Sequence, residues 1–161
     1  MSNAALPNPK DVCDLFGDLL GREVISSAGN PVEITLEDPA VVAVYVDDAL
    51  HMYGLILLDV PLAAIAGAAL ALVPPLVAEE SAKAKALTQA LAENVSEIMN
   101  IATALIAGKT DRHLRLYRVY EPNETVPTDI VALASSFGAR LDLALSVAGY
   151  GQGLISIVLA T

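Results

Sequence analysis

The sequence predicts an α+β fold: a six-stranded, largely antiparallel sheet with long helices packed on one face. Three observations predict it. The chain has 161 residues, 55% apolar and 17% charged, enough to bury a full core. Several stretches alternate apolar and polar residues, and short links between them favour antiparallel pairing. Between these stretches lie segments whose apolar residues recur at helical spacing.

The elements follow in order. Asn8 can cap a first helix, Pro9 suits its first turn and Asp11 suits the positive end of its dipole. Val12, Leu15, Phe16, Leu19 and Leu20 form its apolar face, and Gly21 can end it. Strands are expected from Val24-Ile25, from the alternation of Val32, Ile34 and Leu36, and over 40–46 and 52–58. Gly29-Asn30-Pro31 and Asp47-Asp48 mark connections. A buried helix is expected over 61–73, then a continuous helix from about Glu79 to Ala107, about 27 residues and about 40 Å long. Residues 114–120 alternate as a strand, and 127–137 read as a short helix closed by Gly138. Residues 141–147 and 154–159 form a hairpin, with the glycines at 149, 151 and 153 turning the chain. No repeats or linkers appear, so 1–161 reads as a single domain with a flexible start over 1–7.

Charge narrows the partners. Nine Lys and Arg face nineteen Asp and Glu, a formal net charge of −10. Phosphate neutralisation needs cations, so neither nucleic acid nor an anionic membrane surface is expected as a partner. The 18 residues from Val60 to Val77 carry no charge. Pro74-Pro75 interrupts them and acids flank them, so a core helix is expected rather than a membrane span. Cys13 is the single cysteine, which excludes an internal disulfide and a thiolate metal cluster and fits a reducing cytoplasm.

The long helix carries the one convincing site. With Glu97 at zero and about 100° per residue, Glu93, Ser96, Asn100 and Thr103 fall within about 240–320°. Leu87, Leu91, Val95, Ile98, Ala102 and Leu105 fall within about 80–160°. Glu97 and Asn100 are three apart and therefore neighbours. A carboxylate beside an amide can grip a cation and orient a water. Without a base tuned near neutrality or a metal cluster, the pair is a thin site for stand-alone catalysis.

The fragment from Glu93 to Ala102 resembles the CheC and CheX family of chemotaxis phosphatases, which carries a Glu-x-x-Asn signature on a long helix. Glu97 and Asn100 match the signature. Glu93 holds the place four residues earlier, where the family more often has Asp or Ser, and Pro122 lies near the family's downstream proline. Gly54 to Leu58, the Ala-rich helix after it and the closing hairpin extend the likeness over about 40–161. Ile101-Ala102-Thr103 departs from the glycine often found after the Asn. One signature rather than two is more like CheX than CheC.

The resemblance implies a single CheC/CheX-like domain that removes phosphate from the aspartyl phosphate of a CheY-like response regulator. It implies that Asn100 orients the attacking water and Glu97 holds the regulator's lysine, with Glu93, Ser96 and Thr103 meeting the partner. It implies no cofactor of its own; the magnesium belongs to the regulator. A non-catalytic interaction or scaffold domain of the same fold is the second reading, and a homodimer through the apolar helix a third.

Other signals carry structure. Gly108-Lys109-Thr110 lacks the glycine a phosphate loop needs at Thr103 and closes a helix, with Lys109 near its negative end. The glycines of 149–153 join two strands, where a dinucleotide loop needs a helix to follow. His51 and His113 lack ligand spacing, Asp47-Asp48 and Glu79-Glu80 read as a solvated turn and helix start, and Cys13 as packed.

Overall fold

The computed structural model describes residues 6–108 and 110–160. Helix α1 spans Pro9–Leu20. Asn8 and Asp11 cap it reciprocally, at 2.8 and 3.1 Å, and Gly21 closes it at φ 65°, as the sequence indicates. Of the start expected to be flexible, Leu6 packs against the core and Pro7 is buried, while 1–5 fall outside the described residues. So does Lys109.

Strand β1 covers Val24–Ala28. The strand expected from Val32, Ile34 and Leu36 does not form. Local bonds take its backbone groups: Thr35 N–H donates to the Asp38 carbonyl at 3.4 Å, and Asp38 N–H to the Thr35 hydroxyl at 2.9 Å. Pro31 and Pro39 remove two more donors. Val32 is buried, Ile34 half-buried and Leu36 fully exposed, so the apparent alternation reflects a loop pinned at its start.

Strands β2 (Ala40–Val46) and β3 (Met52–Asp59) form a hairpin. Asp47 closes its turn, its Oδ1 accepting the N–H groups of Ala49 and His51, both at 2.9 Å. Helix α2 (Val60–Leu70) follows at once, capped by Asp59, which accepts Leu62 N–H at 2.9 Å. Every residue from 62 to 69 is buried, which accounts for the first half of the uncharged run; in its second half Leu72 and Leu76 are exposed. Among the described residues, no helix is long and apolar enough to cross a membrane.

The continuous helix expected from Glu79 to Ala107 is three helices: α3 (Pro75–Ala84), α4 (Gln89–Ile101) and α5 (Thr103–Ala107). Pro75 starts α3 earlier than Glu79. Lys85 ends it in the left-handed conformation at φ 53°, and Thr88 caps α4 by accepting Leu91 N–H at 3.2 Å. The chain turns again at Ala102, and α4 alone is about 20 Å long.

Strand β4 is Arg115–Tyr120 and helix α6 is Thr128–Ala134. Helix α6 ends at Ser135 rather than near Gly138, its hydroxyl donating back to the Val131 carbonyl at 3.0 Å, and Phe137 is fully exposed. Strands β5 (Arg140–Val147) and β6 (Gly151–Leu159) make the closing hairpin. Gly149 turns it at φ 82°, but Gly151 and Gly153 lie within β6. A Cβ on Gly153 would stand 2.5 Å from the Leu62 nitrogen, so this glycine admits the start of α2 against the sheet.

The sheet runs β1-β5-β6-β3-β2-β4, and every pair is antiparallel. One face carries the larger core, with Ile56, Leu58, Leu145 and Ile157 packed against residues of α1, α2 and α4. The other carries a smaller core in which Val32, Ile130 and Ala134 cover Val42, Val44 and Leu57. The short α6 and the 29–39 segment thus line the face away from the long helices.

The sheet is irregular at Tyr45. On β3, Gly54 and then Met52 face Tyr45 and Val46, which leaves Tyr53 as an extra residue. On β4, Arg118 and then Leu116 face Val44 and Tyr45, which leaves Tyr117 extra. The extra residues lie on β3 and β4, while β2 keeps its alternation, with Val41, Ala43 and Tyr45 on the larger-core face and Val42, Val44 and Val46 on the other.

Candidate functional site on helix α4

Helix α4 is split along its length. Leu91, Val95, Ile98 and Met99 are buried, as are Ala102 and Leu105 beyond its end, while Leu87 ahead of it is half-buried. Glu93, Ser96, Glu97 and Asn100 are exposed. The wheel drawn for one long helix therefore holds through the breaks, because each break is short and the apolar side still meets the core.

The site side chains have different surroundings. Gln89 Nε2 donates to Glu93 Oε1 at 3.2 Å. Glu93 and Ser96 line an open groove of about 500 Å³ between α4 and β4, together with Gln89, Ala92, Val119 and Glu121. Glu97 and Asn100 have no side-chain hydrogen bond or ion pair among the described residues. The Thr103 hydroxyl turns inward and donates to the Asn100 carbonyl at 2.7 Å. An unengaged carboxylate and amide thus stand together on the crest, beside an acid-lined groove.

Sequence reasoning missed three residues here: Asn94 and Tyr45, which hold the crest, and Glu121, which lines the groove beside it. Asn94 donates its amide to the Gly67 carbonyl of α2 at 3.0 Å. Tyr45 is fully buried and its hydroxyl donates to the Met99 carbonyl at 2.6 Å. Burial pushes the Tyr45 phenol far above its usual range, so it remains a donor. Glu121 adds a carboxylate to the groove from the end of β4. A tyrosine in an otherwise aliphatic strand was the one available signal, since a buried hydroxyl needs a partner.

The turn after β2 gathers residues that spacing kept apart. Asp47 Oδ2 lies 3.5 Å from His51 Nδ1 and 3.7 Å from Arg112 Nη1, and His113 Nδ1 lies 2.8 Å from Asp48 Oδ1. The His51 and Ala49 N–H groups and the nearby His51 and Arg112 charges hold Asp47 below the usual carboxylate range, against the effect of desolvation. These pairs tie the β2–β3 turn to the segment entering β4. Among the described residues, no group of three or more His, Cys, Asp or Glu could hold a metal ion.

A cavity of about 550 Å³ lies elsewhere, between the 30–39 segment, the start of α2 and the end of α3. The fold engages Lys85, Asp38 and Asp59 of its lining. Lys85 donates to the Glu37 carbonyl at 2.6 Å and meets Asp38 at 3.4 Å, and Asp59 caps α2. Burial raises the Asp59 pKa, opposed by the N–H groups of Leu62 and Leu154. Glu97 and Asn100 do not line this cavity; they stand on the exposed side of α4.

No protein-family model and no curated protein sequence matches the chain. Solved structures do. A chain of the FliM–SpeE complex from H. pylori is similar over 94% of this chain and 80% of that one, at 8% identity and TM-score 0.62. CheX from Vibrio vulnificus is similar over 95% and 97%, at 15% identity and TM-score 0.56. A chain of the CheX–CheY–BeF3–Mg2+ complex from Borrelia burgdorferi is similar over 92% of both chains, at 15% identity and TM-score 0.55. At these identities the likeness concerns the backbone, and it establishes that this chain has the fold shared by CheX and the FliM middle domain.

Proposed function

We propose that this chain binds a phosphorylated CheY-like response regulator through the exposed crest of α4 and accelerates loss of its aspartyl phosphate. The observation that carries this reading is the exposed Glu97–Asn100 pair, unengaged among the described residues, on a chain with the fold of CheX. A CheX of this fold is solved with CheY, BeF3 and magnesium, which supports a response regulator as the partner.

The chemistry follows from what each group can do. Asn100 enters the regulator's site, and its amide fixes a water in line with the phosphorus–oxygen bond that breaks. Attack forms the new P–O bond, releases inorganic phosphate and restores the aspartate. Such catalysis rests on positioning, because a loose phosphoryl transition state needs little covalent help. Glu97 pairs with the regulator's lysine and sets the register. Glu93, Ser96 and Thr103 border the contact. The magnesium is the regulator's own, and a cytoplasmic location follows from such a partner.

The test is decay of a phosphorylated regulator with and without the protein. Acceleration that disappears in Asn100→Ala, with binding retained, supports the reading. Unchanged decay with every regulator of the source organism rules it out.

A scaffold role is the second reading. A chain of the FliM–SpeE complex shares the fold at TM-score 0.62. That reading expects partner binding that survives Asn100→Ala and no turnover by the parent protein.

A further inference from the structure

We infer that Tyr45 is a positioning residue for Asn100, acting through the last turn of α4; this rests on the reading of Asn100 given above. The last carbonyls of a helix run short of intrahelical donors. Helix α4 ends at Ile101, one residue past Asn100, and the chain turns at Ala102 into α5. The terminal carbonyls are taken individually. Ala102 N–H donates to the Ile98 carbonyl at 2.8 Å, the Tyr45 hydroxyl to that of Met99 at 2.6 Å, and the Thr103 hydroxyl to that of Asn100 at 2.7 Å.

Of these three, the Tyr45 bond alone reaches across the core. Tyr45 and Met99 are 54 residues apart in sequence, and both are fully buried. The bond therefore references the peptide next to Asn100 to the C-terminal end of β2. Tyr45 follows Val41 and Ala43 on the face of β2 that packs into the larger core, so strand alternation aims it toward the helices. An amide that must hold a water in line tolerates little wander, and a misplacement of about 1 Å can cost about a hundredfold in rate. Tyr45 fixes the backbone that carries that amide while itself staying out of contact with any partner.

Tyr45→Phe separates positioning from folding and from binding. Turnover of the phosphorylated regulator by the parent protein and by Tyr45→Phe is compared, alongside hydrogen exchange of both proteins. The expected result is a kcat lower by about ten- to a hundredfold with KM within about twofold. Amide exchange at Ala102 to Leu105 rises about tenfold while that in β3 and β6 is unchanged. A Tyr45→Phe kcat equal to the parent's overturns the inference, as does a fall in kcat with exchange raised equally throughout the chain.

If Tyr45→Phe does not fold, the parent protein is read by NMR: a slowly exchanging Tyr45 hydroxyl proton coupled across the hydrogen bond to the Met99 carbonyl is expected, and a freely exchanging hydroxyl overturns the inference. If the parent protein turns over no regulator, the functional reading fails separately. The exchange comparison then decides whether Tyr45 fixes this turn, and unaltered exchange at Ala102 to Leu105 overturns it.

Discussion

Asn94 of α4 donates its side-chain amide to the Gly67 carbonyl of α2, 3.0 Å away, and this bond sets the rotation of the helix that carries Glu97 and Asn100. The two helices also approach closely at Gly67. A Cβ there would stand 3.0 Å from the Leu91 carbonyl and 3.3 Å from a Val95 methyl. Gly67→Val is expected to destabilise by about 1–3 kcal/mol through overpacking. Asn94→Ala is expected to cost about 1 kcal/mol for the lost half-buried bond. Urea unfolding midpoints check both, and an unshifted midpoint in Gly67→Val contradicts the close approach.

Glu97 is exposed, so its replacement leaves the fold alone. Glu97→Gln is expected to hold stability within about 0.5 kcal/mol. In the proposed complex it weakens regulator binding about tenfold and flattens its salt dependence, because a charge pair across the contact is lost. Titration calorimetry at two ionic strengths checks this. Equal affinity for the two proteins at low salt removes Glu97 from the contact.

Arg140, Asp142 and Ser156 form a small network under the 29–39 segment. Arg140 meets both Asp142 oxygens at 2.9 Å, and Ser156 donates to Asp142 at 2.6 Å while accepting the Val32 N–H at 2.9 Å. Burial works against the Asp142 charge, but the Arg140 guanidinium and the Ser156 hydroxyl outweigh it and hold the carboxyl below its usual range. A depressed carboxyl stabilises the fold above the unfolded-chain value of about 3.9, and that contribution is lost as pH falls through the folded value. Asp142→Asn is thus expected to destabilise by about 2–3 kcal/mol at neutral pH, by a gap that narrows below about pH 4. Thermal unfolding across pH 3–7 is the check; a gap constant with pH would contradict the linkage.

Leu72 follows α2 at φ 56°, in the left-handed region, with its side chain 76% exposed. Val73 N–H reaches back to the Ala68 carbonyl at 2.9 Å, a closure that glycine suits best. Leu72→Gly is expected to stabilise by about 0.5–1 kcal/mol, since little packing is lost and the Cβ strain is relieved. A rise of a few degrees in melting temperature checks it, and a fall would show that the side chain packs more than its exposure suggests.

Wherever one local pattern had one physical outcome, the sequence alone determined the element. The Asn8–Asp11 cap with Gly21, the apolar α2, the hairpin at Asp47 and the split of α4 into wet and dry sides are such cases. The pairing of Glu97 with Asn100 belongs with them, because residues three apart on a helix are neighbours in any context. Where local bonds and tertiary packing competed, only the folded chain decided. Proline and the Thr35–Asp38 turn overrode the alternation at 32–36, and Lys85, Thr88 and Ala102 cut one apparent helix into three. The residues around the site come from positions distant in sequence: Tyr45 from β2 and Gly67 from α2 hold the helix, and Glu121 from beyond β4 lines the groove. Helical spacing reports which side of a helix is wet; which atoms hold that helix still depends on contacts across the core, which no local pattern encodes.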